Sequence, residues 1–505
     1  MVGAAGRFGC LESGAGINLA ARRHAEGHQA KIVSMAEFDH PELEPSSQPP
    51  PVEGVPALGS VLFFATFALI ILAAVTSIEV FVDAANMILI MFLIFEFRRI
   101  PPVPMIVGSI LLIVGLIAAL SAGTVIESVW RGVEQTHKFL VLFGAVAFLQ
   151  IPAATSPSLR AIQEMVKSQP PGKRYTYLAA AAHLLGFAFN IAGISLITDL
   201  VSRQTDQLVK QRLGRAMLHG FSTVTCWSPF FVGAVLILDA WQEVTWREVA
   251  PYGLCLAFVL TLLSWLMDRF GARKSPKNLT AQPSVEVPTR AWWRTATVLG
   301  LLFAGAISLV EFFHFSIPVA LGMVGPPLAL AWRATMFAPA QRLRESRSFA
   351  HQAIARLNTL RGEMLVFVSA NIMGAGIAAV IDPQTIANLI AAADFSVDAK
   401  IFTLALAFVV CGALAIHPVI LVILIAQLLP AGAIGVPPLV MVVMLMALWG
   451  LATNVSPVSA TVLFVSRVAN ESNLTVAWRW NAPYSFAGAG LLAAIIIAGR
   501  HLGFY

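Results

Sequence analysis

From residue 57 onward the chain alternates between long apolar runs and short polar connections. The runs lie at about 57–77, 80–97, 103–122, 138–155, 174–199, 216–238, 248–268, 292–313, 316–333, 363–381, 401–429, 440–467 and 482–499. None keeps the strict period-two alternation of a membrane strand, so helices are predicted throughout. A run of about 20 apolar residues spans the hydrocarbon of a bilayer.

The distribution of basic residues decides which runs cross. If every run crossed from a cytoplasmic N-terminus, the segment 200–215, with Arg203, Lys210, Arg212 and Arg215, would lie outside. The loop before it, with Arg160, Lys167, Lys173 and Arg174, is already inside. Both flanks of 174–199 are therefore cytoplasmic, and this run is read as a re-entrant hairpin. The run 401–429 is read likewise, because neither flank carries a positive excess. Of the 29 Lys and Arg beyond residue 56, 24 then fall inside and five outside: Arg131, Lys138, Arg247, Lys400 and Arg500. That bias fits the positive-inside rule. The expected fold class is an all-α polytopic membrane protein with eleven crossings and two hairpins.

Composition supports the same solvent. The 505 residues are 58% apolar and 12% charged, with a mean hydropathy of +0.78. A water-facing surface needs about twice that charge. The net charge of +6 is mostly orientation rather than a sign of nucleic-acid binding. Residues 1–56 lack periodicity and are expected to be disordered and cytoplasmic. They do not resemble a secretory signal, and Met35 offers a second plausible start. Cys10, Cys226, Cys255 and Cys411 are far apart and form no CxxC, so neither a disulfide framework nor a metal site is indicated.

The sequence repeats. Trp246-Arg247 and Ala250-Pro251-Tyr252 recur as Trp478-Arg479 and Ala482-Pro483-Tyr484, at an offset of 232. Ser228-Pro229 recurs as Ser456-Pro457, Pro157 as Pro383, Leu140-Val141 as Leu365-Val366, and Glu96-Phe97 as Glu311-Phe312. The offsets grow in order along the chain, as a duplication with small insertions requires. Five crossings per copy is an odd number, so the copies would be inverted, a signature of secondary transporters. The expected organisation is 1–56, an extra helix at 57–79, a first repeat at 80–270, a cytoplasmic linker at 271–291 and a second repeat at 292–505.

Each repeat offers a hairpin tip and a broken crossing. The first pair contains Asn190 and then Ser222, Thr223, Thr225 and Ser228. The second contains His417 and then Thr453, Asn454, Ser456 and Ser459. Gly and Pro interrupt helices and free backbone groups. Freed N–H groups suit an anion and freed carbonyls suit a cation. Hydroxyl and amide side chains then orient a small solute without burying a full charge. These ten residues are the candidate solute or ion site. His183 and His219 are read as structural, and Glu96, Glu311, Trp292, Trp293, Trp478 and Trp480 as interfacial. Asp83 and Asn86 lie within a crossing, and Asp83 is near its outer end. The stretches 157–168, 203–215 and 341–362 are read as basic surface helices facing anionic lipid.

No HExxH, GxSxG or GxxxxGK[ST] occurs. The chain is therefore expected to be neither an enzyme nor an ATP-driven pump, and to need no cofactor or resident metal.

With two five-crossing repeats, each carrying a hairpin before a broken helix, residues 57–500 resemble the ion transporter superfamily of secondary carriers. That group includes the divalent anion/sodium symporters and the large permease subunit of tripartite ATP-independent periplasmic transporters. Asn454-Val-Ser456-Pro457-Val-Ser459-Ala-Thr461 looks like that family's binding-site motifs. Asn190 and Asn454 are the nearest equivalents of its Ser-Asn-Thr signatures. The resemblance implies a mobile transport domain, a dimerising scaffold and elevator-type movement in a bacterial-type inner membrane. The expected function is Na⁺- or H⁺-coupled transport of a small organic anion, a carboxylate. A permease subunit of a multicomponent transporter and a cation/proton antiporter are the alternatives. The expected partners are the solute, the coupling ion, lipid and a second copy of the chain, with no nucleic acid.

Overall fold

The computed structural model describes residues 57–202, 204–271, 288–429 and 431–505, and these residues form an all-α polytopic fold. The region 1–56 and residues 272–287 of the 271–291 linker lie outside the described residues. In the first half the helices are α1 (Leu58–Thr76), α2 (Glu79–Glu96), α3 (Pro102–Ala122), α4 (Val125–Gln135), α5 (His137–Thr155), α6 (Pro157–Ser168), α7 (Pro171–Phe189), α8 (Ile191–Ser195), α9 (Asp199–Ser202), α10 (Gln207–Ser222), α11 (Val232–Ala240) and α12 (Trp246–Phe270). The second half holds α13 (Thr289–Phe313), α14 (Ile317–Thr335), α15 (Arg342–Ala355), α16 (Arg361–Val380), α17 (Pro383–Ala392), α18 (Val397–Ala413), α19 (Pro418–Leu428), α20 (Ala431–Ile434), α21 (Pro438–Val455), α22 (Ala460–Ala469) and α23 (Ala482–His501).

Ten helical stretches among the described residues are long and apolar enough to span a bilayer, and they match ten of the eleven expected crossings. The eleventh, expected at 216–238, is divided into α10, a 3-10 turn at Thr223–Cys226 and α11. The run 174–199 becomes α7, a turn at Asn190 with φ 54°, and a return by α8. That return is close: a Cβ at Gly193 would stand 2.2 Å from the Leu185 carbonyl oxygen. The run 401–429 becomes α18, a turn with Ala415 at φ 68°, and α19. A further bend of 117° separates α17 from α18.

The helices pack as two groups. One holds α1–α5 and α13–α16; the other holds α7–α12 and α18–α23, with α19 also packed on α16 of the first. In the first, α3 lies along α16 while α14 lies along α5. Glycine makes the α3–α16 contact possible, since small residues let membrane helices approach closely. A Cβ at Gly115 would be 2.6 Å from Met373 Cα, and one at Gly376 would be 2.4 Å from the Gly115 oxygen. Between the groups runs an aromatic seam. Phe303 of α13 meets Phe187, Phe230 and Trp246 at ring separations of 6.0, 6.0 and 5.5 Å.

Two readings of interfacial residues are corrected. Glu96 is fully buried and is held by Arg99 and Arg361, each at 3.1 Å. A buried carboxylate needs such partners, and Arg361 reaches it from the other half of the sequence. Trp480 is also buried, packed over Gly214. It lies in a π-helical turn, Thr475–Asn481, which turns Trp480 inward and leaves Trp478 exposed.

The close packing has a measurable cost if disturbed. Gly376→Val should destabilise the protein by about 1–3 kcal/mol through overpacking. Gly490→Ala, where a Cβ meets nothing within 4 Å, should leave stability unchanged. Thermal unfolding in detergent compares the two; equal midpoints would contradict the tight α3–α16 contact.

Candidate functional site

The two broken helices meet inside the second group. A Cβ on Gly450 of α21 would come within 2.3 Å of the Ser222 carbonyl oxygen at the end of α10. Thr225, in the 3-10 turn, donates its hydroxyl to the Met446 carbonyl of α21 at 2.9 Å and lies 2.8 Å from the Ser222 oxygen. Trp449 precedes Gly450 and is buried between three elements. Its ring stands edge-on to Phe231 at 6.2 Å and to His417 at 6.2 Å, and a Cβ at Gly233 would be 2.6 Å from it. The start of α11 and the tip between α18 and α19 therefore converge on one indole.

The ten candidate residues separate into two kinds. In the first break the hydroxyls are engaged locally. Ser222 donates to the His219 oxygen at 2.9 Å and Thr223 to the Gly220 oxygen at 2.8 Å, while Ser228 accepts from the Phe230 N–H at 3.3 Å. Such bonds to nearby backbone satisfy groups that an interrupted helix leaves open. Asn190 closes the α7–α8 turn: its N–H donates to the Gly186 oxygen and its carbonyl accepts from the Gly193 N–H, both at 2.9 Å. His417 caps α19, its Nδ1 accepting from the Val419 N–H at 3.2 Å.

The second break differs. Thr453 donates to the Gly450 oxygen at 2.8 Å. Ser459 donates to the Thr453 oxygen at 2.7 Å and caps α22 by accepting from the Val462 N–H. Asn454 and Ser456, 1% and 0% exposed, have no partner for the Asn454 Nδ2 or the Ser456 Oγ. An unmet buried polar group costs about 1–3 kcal/mol. Two of them flank the Val455–Ser456 interruption, where α21 ends in extended backbone at Ser456. A bound solute or ion could satisfy both. None of the ten candidates is charged at neutral pH in the sense of Asp, Glu, Lys or Arg. Among the described residues, no group of three or more His, Cys, Asp and Glu side chains could hold a metal ion.

His183 and His219, read from the sequence as structural, are hydrogen-bonded around the first break. His183 Nδ1 lies 2.8 Å from the Thr223 hydroxyl, and its Nε2 accepts from the Trp227 indole at 3.1 Å. Trp246, from the repeated Trp-Arg motif, donates to the Trp227 carbonyl at 2.7 Å. Its counterpart Trp478 donates to the Ala413 carbonyl at 3.1 Å, beside the α18–α19 turn. The repeat itself was the available signal: both tryptophans hold carbonyls at interruptions. His219 sits in a buried polar network, with Nδ1 2.9 Å from the Ser264 hydroxyl and Nε2 3.0 Å from Asn481 Oδ1. Asp83 is exposed and Asn86 fully buried, on α2 in the other helical group.

No protein-family model and no curated protein sequence matches the chain. Among solved structures, the chain is similar to the Alcanivorax borkumensis YdaH transporter, whose topology is described as unusual. The identity is 16%, the TM-score is 0.48, and the match covers 70% of this chain and 85% of that one.

The Thr225 hydroxyl joins the two breaks, and its removal isolates that contribution. Thr225→Val keeps the shape and should cost about 1 kcal/mol, read as a lowered unfolding midpoint in detergent. A midpoint equal to that of the parent would mean that the bond to Met446 does not tie the breaks together.

Proposed function

We propose that this chain is a secondary transporter of a small organic anion, a carboxylate, coupled to Na⁺ or H⁺. One observation carries the reading: two interrupted helices face each other, and one presents the buried, unpartnered Asn454 and Ser456. Neutral amide and hydroxyl groups beside freed helix ends bind small ions and solutes without the desolvation cost of a buried charge.

The working parts follow from the packing. The α7–α12 and α18–α23 group carries both breaks and both turns and acts as the transport domain. The α1–α5 and α13–α16 group acts as the scaffold, through which two copies dimerise. The exchange of partners, with α3 on α16 and α14 on α5, supports two inverted copies of one unit. Alternating access is then an elevator movement of the first group against the second. The turns after α7 and α18 act as the tips of re-entrant hairpins. The protein works in a bacterial-type inner membrane with its N-terminus in the cytoplasm.

Purified protein in proteoliposomes, given imposed Na⁺ or H⁺ gradients and a panel of radiolabelled carboxylates, tests this reading. Gradient-dependent uptake is expected. Asn454→Ala and Ser456→Ala should each lower uptake about tenfold, the equivalent of about 1.4 kcal/mol and within the range for a buried hydrogen bond. Na⁺/H⁺ exchange with no solute movement would replace this reading with a cation/proton antiporter. Uptake only after addition of a solute receptor would indicate a permease subunit.

A further inference from the structure

Three cavities open at one end of the helical bundle, and their walls share Lys138, Asp239 and Gln242. Two are large, about 790 and 1100 Å³. The third is about 240 Å³ and runs between α16, α19 and α11, where Asn371, Ile423 and Gln427 line it. The ion pair between Lys138 and Asp239 lies where the three meet. Its two residues belong to different helical groups, Lys138 to α5 and Asp239 to α11. A second ion pair crosses in the same region. Arg247 at the start of α12 holds Glu311 near the end of α13 at 2.9 Å, and both line the largest cavity.

Other described ion pairs stay within a group. Arg212–Asp268 and Arg500–Asp398 lie in the α7–α12 and α18–α23 group, and Arg361–Glu96 and Arg333–Glu345 in the other. The crossing pairs are thus placed where any relative movement of the groups must break them. They also differ in strength. The Lys138 side chain is 17% exposed and that of Arg247 is 70%, so solvent and salt screen the second pair more.

We propose that Lys138 and Asp239 form an ionic latch that closes a solute crevice at this end of the protein, with Arg247 and Glu311 as a weaker second clasp. The crevice is walled on one side by Ile423, Ala426 and Gln427 of α19. With the pair intact, α11 is held to α5, and Lys138 and Asp239 stand between the 240 Å³ pocket and the larger cavities. When the pair parts, the pocket joins them and the polar wall of Asn371 and Gln427 becomes continuous with water. As a transport device this rests on the transporter reading; as a closure between two helical groups it does not.

The test uses the full chain in liposomes, with its four cysteines replaced and one introduced as Gln427→Cys. The readout is the rate of labelling by a membrane-impermeant maleimide. Lys138→Gln and Asp239→Asn should each raise that rate about twofold to fivefold, the range for one partly exposed ion pair. The charge swap Lys138→Asp with Asp239→Lys should bring it back. With both native charges present, raising NaCl from about 0.05 to about 0.5 M should raise the rate, so the result does not depend on the folding of a variant. The same salt step should have little effect on Lys138→Gln. Rates unchanged by either single substitution and by salt would overturn the latch. A raised rate in protein that moves no solute would leave the latch standing and count against the transporter reading alone.

Discussion

Backbone polarity in a medium without water governs this fold. Each peptide group at bilayer depth needs a partner inside the protein. A continuous helix, such as Leu58–Thr76 or Trp246–Phe270, meets that need by itself. Two interruptions facing each other do not, and much of the second helical group consists of the groups that satisfy them. Thr223, Thr225, Ser228 and Ser459 bond to nearby backbone, and Trp246 and Trp478 reach in from neighbouring segments to take a carbonyl each. The close approaches at Gly450 and Gly220 follow from the same need, since these bonds form only when helices touch backbone to backbone.

The two halves spend this satisfaction unequally. The first break is closed by its own hydroxyls and by the His183–Trp227 pair. The second leaves Asn454 and Ser456 open at its centre. The two breaks differ in residue type at corresponding places: Cys226 stands where the second break has Asn454, at the offset that relates Ser228 to Ser456. In the first break Ser222, Thr223 and Ser228 are paired nearby, and in the second two buried polar atoms have no partner.

Much of this was legible in the sequence because the signals were local. Apolar length located ten spans, and the Ser-Pro pairs located both breaks. The sorting of Lys and Arg picked out 174–199 and 401–429, which do fold as helix–turn–helix elements. What remained hidden was pairing in three dimensions. Glu96 reads as a helix-end anchor until Arg361, 265 positions away, is seen beside it. Trp480 reads as interfacial because a π-helical turn, which shifts the facing of the residues within it, leaves no clear mark in an apolar run. Ser222, Thr223 and Asn454 look equivalent as letters. Only their partners separate the structural hydroxyls from the open amide.

The aromatic seam at Phe303 has a mechanical meaning. Glycine contacts such as Gly115 against Met373 behave as welds, because a backbone seated in a notch cannot shift without leaving it. Flat rings meeting at 5.5–6.0 Å have no notch, and their attraction changes slowly as one face passes over another. At Phe303 the two groups therefore meet through ring faces and edges, whereas at Gly374, where a Cβ would stand 2.4 Å from Ile423 of α19, they interlock.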